Sequence, residues 1–145
     1  QERELRNWLY GDHLLDRAGA SLVASLSAAA DDVEELHGVR VELASAGDCP
    51  VDPAVGALVL AAREAMTNAA KFAGVDEIDV YAEVSPDAVD VFVRDRGSGF
   101  DRGAVPPDRR GISESIEGRL VRVGGRATVV TAPGQGTEVE LQVPR

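Results

Sequence analysis

Four short stretches of this sequence hold residues able to do chemistry. In the first, Arg63-Glu64-Ala65-Met66-Thr67-Asn68-Ala69-Ala70-Lys71, the polar residues Glu64, Asn68 and Lys71 fall at i, i+4 and i+7. On a helix they share one face within roughly 60° and span about 10 Å, which compares with an extended triphosphate. An amide oxygen is a hard, neutral ligand suited to Mg²⁺, which keeps most of its waters and takes few protein ligands. A lysine meets phosphate as a point charge. A carboxylate one turn before the amide can take a proton from an attacking nucleophile. Read alone, the same trio equally makes a solvated polar face with a Glu–Lys pair.

The second stretch is Asp95-Arg96-Gly97-Ser98-Gly99-Phe100, an acid followed by two glycines one residue apart, just after an apolar run. Ionised, Asp95 only accepts hydrogen bonds. Adenine offers an amino donor at its six-position where guanine has an oxygen, so a buried carboxylate there favours adenine by several kcal/mol on the usual scale for charged groups. Gly97 and Gly99 let a flat ring approach the main chain. In the third stretch, Arg109-Arg110-Gly111-Ile112 precedes a helix starting near Ser113. Backbone N–H groups at a helix start attract phosphate, with Arg110 beside them and the Ser115 hydroxyl within the first turn. The fourth, Gly134-Gln135-Gly136-Thr137, reads by itself as a hairpin turn. His13 and His37 read as surface or capping residues and Cys49 as a small residue in a turn. One cysteine and two distant histidines make no zinc site.

These stretches need elements to position them. Ser21 can cap a helix to about His37, with Leu22, Leu26, Ala29, Val33 and Leu36 as its buried stripe and Gly38 as its stop. Val39 to Ala44 alternates as a strand with one wet face. Asp52-Pro53 opens an alanine-rich, mostly buried helix that should run to Ala73. Ile78 to Val84 and Val89 to Val93 make an antiparallel hairpin, Phe100 to Arg110 a loop, Ser113 to Val123 a helix, and Ala127–Thr131 with Glu138–Val143 a second hairpin. The expected fold class is α/β in the α+β sense: a two-layer sandwich, with a mixed, mostly antiparallel sheet covered on one face by three helices. Upstream, Leu5, Trp8 and Leu9 make an amphipathic face too short to be stable alone. Residues 1–11 therefore read as the end of a longer helix, 12–20 as a linker and 21–145 as the domain itself.

The length suits one domain with a real core. A formal charge of −10 argues against a general nucleic-acid surface. Yet eight of the fourteen arginines lie between Arg94 and Arg126, among the site stretches, which suits a small polyanion. A single cysteine permits no disulfide within the chain and fits a reducing compartment.

In this order and spacing, the four stretches resemble the ATP-binding catalytic domain of bacterial sensor histidine kinases, in the superfamily that includes gyrase, Hsp90 and the mismatch-repair ATPases. The resemblance covers about residues 20–145. Arg63 to Ala73 is similar to the asparagine box, Asp95 to Phe100 to the first glycine box, Arg110-Gly111-Ile112 to the second and Gly134 to Thr137 to the third. The run Gly111 to Arg119 is similar to the actinobacterial branch of the nitrate-sensor and desaturase-regulator kinases. The resemblance implies the Bergerat ATP-binding fold, with Glu64 assisting catalysis, Asn68 holding Mg²⁺, Lys71 contacting phosphate, Asp95 binding the adenine amino group and Thr137 near it. Gly97, Gly99, Arg110, Gly111, Ile112, Ser115 and Gly136 complete the ATP site. Phe72 stands where close relatives often have histidine, and Arg109 where many have the first glycine of the second box. The implied cofactors are ATP and Mg²⁺. The implied partners are an upstream dimerisation domain carrying the phospho-accepting histidine and a response regulator, in a full-length homodimer that binds no nucleic acid. The domain would be cytoplasmic, with any membrane anchor in segments outside this chain. A serine kinase that inhibits a sigma factor, and a non-enzymatic nucleotide-binding module, are the alternatives within and outside enzyme chemistry.

Overall fold

The computed structural model describes residues 21–72, 75–97, 116–131 and 134–145. Helix α1 spans Leu22–His37, strand β1 Arg40–Ala46, helix α2 Pro53–Phe72, and strands β2 and β3 Glu77–Val84 and Ala88–Asp95. Residues 116–121 are helical, and strands β4 and β5 follow at Arg126–Thr131 and Thr137–Pro144.

Local chemistry sets the helix boundaries. Ser21 has extended backbone angles and its hydroxyl oxygen accepts from the N–H of Ala24, an N-cap for α1. Asp48, beside Cys49 in the turn after β1, secures this corner. Its carboxylate accepts from the Ser21 hydroxyl at 2.6 Å and from the N–H groups of Val23 and Cys49 at 3.0 and 2.8 Å. Burial alone would raise the Asp48 pKa, but those bonds outweigh it and hold the group below the usual carboxylate range. At the other end Gly38 takes the left-handed conformation, φ 68°, and its N–H reaches the Glu34 carbonyl. Asp52 caps α2 by accepting from Val55 N–H at 2.8 Å, with Pro53 in the first helical position.

The five strands form one sheet in the order β1-β2-β3-β5-β4. β1 and β2 are parallel, joined by the α2 crossover; every other neighbouring pair is antiparallel. The expected mixed, mostly antiparallel sheet is therefore present. The last hairpin does not extend the sheet in chain order. Its second strand, β5, lies against β3, and β4 becomes the edge. Strand ends also differ from the sequence reading by a residue or two, and one difference matters: β3 continues to Asp95, so the acid is inside the ladder and not beyond it.

Alternation along the strands separates two faces. Ile78, Val80 and Ala82, then Val89, Val91 and Val93, then Leu141 and Val143 are buried on the face the helices cover. α2 crosses the middle of the sheet, against β3 and β5, while α1 packs on α2 and β1. The core between the layers is mostly valine, leucine and alanine, with Leu22, Leu26, Leu58, Met66, Ile78, Leu120 and Leu141 the largest fully buried side chains among the described residues. Ile116 and Leu120, one turn apart, bring the 116–121 helix onto the same core. The opposite face carries Asp79, Arg94 and Glu138 in one cross-strand row and the stacked rings of Tyr81 and Phe92 in the next. Among the described residues no helix is long and apolar enough to cross a membrane.

Candidate functional site

The site begins with a row of four residues across one end of the sheet. Ile78 of β2 pairs with Asp95 of β3, Asp95 with Thr137 of β5, and Thr137 with Thr131 of β4. Directly opposite residues in an antiparallel ladder share a face, with Cβ atoms about 5 Å apart. Since Ile78 is buried under the helices, the whole row lies on the covered side. It places a carboxylate and two hydroxyls side by side at the margin of an otherwise apolar layer.

Asp95 is 6% exposed, the one buried acid among the described residues. A carboxylate that is nearly out of water costs free energy unless hydrogen bonds or partners compensate. Its Oδ1 accepts from the N–H of Gly97 at 2.9 Å, which closes the turn after β3 and fixes the carboxylate's orientation. Gly136 lies against the same corner. Its backbone is left-handed, φ 74°, and a Cβ at this position would collide with the Asp95 carbonyl oxygen and sit 3.1 Å from the Arg96 Cα. Glycine is required on both counts. The first and third glycine motifs are thus in main-chain contact, and the hairpin turn expected from the sequence is also one wall of the Asp95 corner.

Thr131 was not singled out in the sequence. Its hydroxyl donates to the Gly136 carbonyl at 3.2 Å and shares a 2.9 Å hydrogen bond with the Thr137 hydroxyl. The alternation Ala127, Val129, Thr131 placed it on the covered face in principle. Only the register of β4 on β5 puts it beside Thr137.

The polar trio lies on α2. Glu64 and Asn68 are half-buried and Lys71 is exposed, on a helix whose Ala61, Ala62, Ala65, Met66 and Ala69 are buried. Chain connectivity places the end of this helix relative to the row. β1 and β2 run the same way, so α2 must return between them, and its C-terminal end arrives where β2 starts. That is the end of the sheet holding Ile78 and Asp95. Asn68 and Lys71 therefore sit at the same end of the domain as Asp95, Gly97, Gly136 and Thr137.

Two interactions around the trio were not legible in the sequence. Glu64 is joined to Arg119 of the 116–121 helix, Oε2 to Nη2 at 3.7 Å, so its described ion pair runs between helices and not along α2 to Lys71. The Arg63 charge acts on Asp32 of α1. Burial is the main influence on Asp32 and raises its pKa, with Glu35 adding to the rise and Arg63 opposing it. No local signal in the sequence could have found either, because each joins helices far apart in the chain. Of the remaining expected site residues, Gly99, Arg110, Gly111, Ile112 and Ser115 lie outside the described residues, as does residues 1–20, the expected helix end and linker.

Comparison with known proteins gives the family and the fold. The family described as histidine kinase-, DNA gyrase B-, and HSP90-like ATPase matches residues 55–145, well over half of the chain. An uncharacterized sensor-like histidine kinase of Chloroflexus aurantiacus is 37% identical over 61% of this chain and 16% of its own length. The signal transduction histidine-protein kinase/phosphatase DegS of Bacillus subtilis is 33% identical over 61% of this chain and 23% of its own. The chain thus spans less than a quarter of these relatives. Among solved structures, the histidine kinase domain of a blue-light activated kinase from Erythrobacter litoralis superposes with a TM-score of 0.72 at 25% identity, covering 91% of this chain and 68% of that one.

Proposed function

This chain belongs to the histidine kinase-, DNA gyrase B- and HSP90-like ATPases and is built as the ATP-binding catalytic domain of a histidine kinase; on that premise we propose that it passes the γ-phosphoryl of ATP to a histidine on an upstream helical dimerisation domain, for relay to a response regulator. The observation that carries the reading is the pairing of Asp95 with Thr137 in a row closed by Gly136. A fixed, buried carboxylate beside a hydroxyl, with main chain close enough to exclude any side chain, suits a flat ring bearing an amino donor.

Asp95 would accept from the adenine six-amino group. Gly97 and Gly136 would leave room for the ring, and Gly99 would do the same beyond the described residues. At the far end of the ligand Asn68 would offer its amide oxygen to Mg²⁺ and Lys71 its ammonium to phosphate oxygens, both on α2, whose C-terminal end lies at the same end of the sheet as Asp95. Bound Mg²⁺ supplies neutralisation of phosphate charge. Arg110, Gly111, Ile112 and Ser115 would complete the phosphate contacts with backbone N–H groups, a guanidinium and a hydroxyl. Glu64 stands about one turn before Asn68; an incoming imidazole would attack with its unprotonated nitrogen, ADP would leave, and the Glu64 carboxylate would accept the proton from the other ring N–H or orient the ring for attack. Transfer of this kind depends on position and charge more than on covalent chemistry by the protein. The intact protein would act as a homodimer, with residues 1–11 as the end of its dimerisation helix.

The test is to join the upstream helical segment to this chain and supply labelled ATP. Label that is lost in acid and kept in alkali supports the reading. Acid-stable phosphoserine, or nucleotide binding with no transfer at all, would overturn it.

A further inference from the structure

We infer that Thr131 is a positioning residue for nucleotide choice: it fixes the direction of the Thr137 hydroxyl, so that the row beside the purine presents acceptors only. The inference deepens the reading above and rests on Asp95 as the purine's partner.

A hydroxyl has one proton and two lone pairs. The Thr131 oxygen lies 3.2 Å from the Gly136 carbonyl and 2.9 Å from the Thr137 oxygen. A carbonyl cannot donate, so in the first contact the proton belongs to Thr131. That proton is then committed, and the second contact must run from Thr137 to Thr131. Thr137 consequently points its only proton along the row, away from Asp95, and leaves its lone pairs to the ligand side. Asp95 stands directly opposite Thr137 in the ladder, on the same covered face, and is acceptor-only as well. Two acceptors side by side suit an amino group, or a water bridging to one. They oppose a carbonyl oxygen at the same place.

Gly136 ties the arrangement together. It supplies the carbonyl that orients Thr131, and its left-handed backbone rests against Asp95 and Arg96. The relay and the carboxylate are therefore anchored to one another by main chain. Without the Thr131 hydroxyl, Thr137 would lose its acceptor. Its hydroxyl would then be able to turn toward the ligand and donate to a six-oxo purine.

ATP and inosine triphosphate differ at this position, amino against oxo, and make the natural pair of probes. Their affinities for the whole chain are measured by calorimetry for the wild type and for Thr131→Val, Thr131→Ala and Thr131→Ser, with thermal melts to confirm folding. The wild type should prefer ATP. Thr131→Val and Thr131→Ala should narrow the ATP-over-ITP ratio by roughly tenfold, the scale of one neutral hydrogen bond. Thr131→Ser, which keeps the hydroxyl, should stay within about twofold of wild type on the same scale. In a Thr137→Val background, removing the Thr131 hydroxyl should leave the ratio where Thr137→Val alone puts it, because the group being aimed is gone. Parallel loss of both affinities with an unchanged ratio, or no change in either, would overturn the inference. Failure of the underlying reading looks different: Asp95→Asn would then bind ATP as well as wild type.

Discussion

Gly136 and Asp95 meet main chain to main chain. One opens the third glycine motif's final turn into β5 and the other ends β3, forty-one positions earlier in the chain, and no side chain fits between them. The contact makes a sharp prediction, because a second glycine in the same turn serves as control. Gly134 also has a left-handed backbone, φ 77°, but a Cβ there would meet nothing within 4 Å. Gly134→Ala should cost only the local backbone strain, about 1–2 kcal/mol in denaturant unfolding. Gly136→Ala should cost clearly more and should also abolish ATP binding, since the collision displaces the Asp95 corner. Equal stability losses for the two variants would contradict the contact.

Asp95→Asn places an amide where a carboxylate is now held by Gly97. If the NH₂ group faces the adenine amino donor, two donors oppose one another. ATP affinity should fall by about ten- to a hundredfold, the range for a hydrogen bond to a charged group. Calorimetry reads the change directly, and an unaltered affinity would remove Asp95 from the purine site.

For Glu64→Ala, nucleotide binding should persist while phosphoryl transfer to a supplied dimerisation domain slows by about 10²–10⁴-fold, the usual contribution of a positioned proton acceptor. Transfer at the wild-type rate would exclude Glu64 from the chemistry. Because Arg119 contacts Glu64, its variant Arg119→Ala should move transfer in the same direction by a smaller factor.

The metal makes its own prediction at Asn68. Wild-type affinity for ATP should rise when Mg²⁺ is added to metal-free, chelator-treated protein, and Asn68→Ala should flatten that response. A variant that keeps the full Mg²⁺ dependence would show that the amide is not a ligand.

Two aspartates should act on acid stability in opposite directions. Asp48 has a folded pKa below its unfolded value, so its contribution is present above about pH 4 and is lost as pH falls through the lowered folded value. Asp32 is shifted upward, chiefly by burial. It disfavours the fold once pH rises above the unfolded value, and that penalty disappears on acidification. Asp48→Asn should therefore lower stability at neutral pH and flatten the acid limb. Asp32→Asn should be neutral or slightly stabilising at pH 7 and steepen the net acid loss. Both groups are partly exposed, so each effect should stay under about 1 kcal/mol. Denaturant midpoints between pH 3 and 7 decide it.

The sequence by itself determined whatever depends on neighbours in the chain. Ser21 and Asp52 as caps, Gly38 as a stop, the two hairpins and the buried stripe of α1, except Leu36, which the last turn leaves exposed, follow from side-chain chemistry and periodicity within a few residues. So do the candidate stretches themselves, since Glu64, Asn68 and Lys71 share a face of any helix that contains them. Tertiary structure alone decided which strands became neighbours. Nothing local says that β5 lies between β3 and β4, yet that placement sets Thr137 beside Asp95, Gly136 against its carbonyl and Thr131 behind both. The same holds for Arg119 on Glu64 and for Asp48 under Ser21. Pairings across long separations are chosen by the burial of whole faces and by ladder register, which belong to the assembled sheet and not to any segment of it.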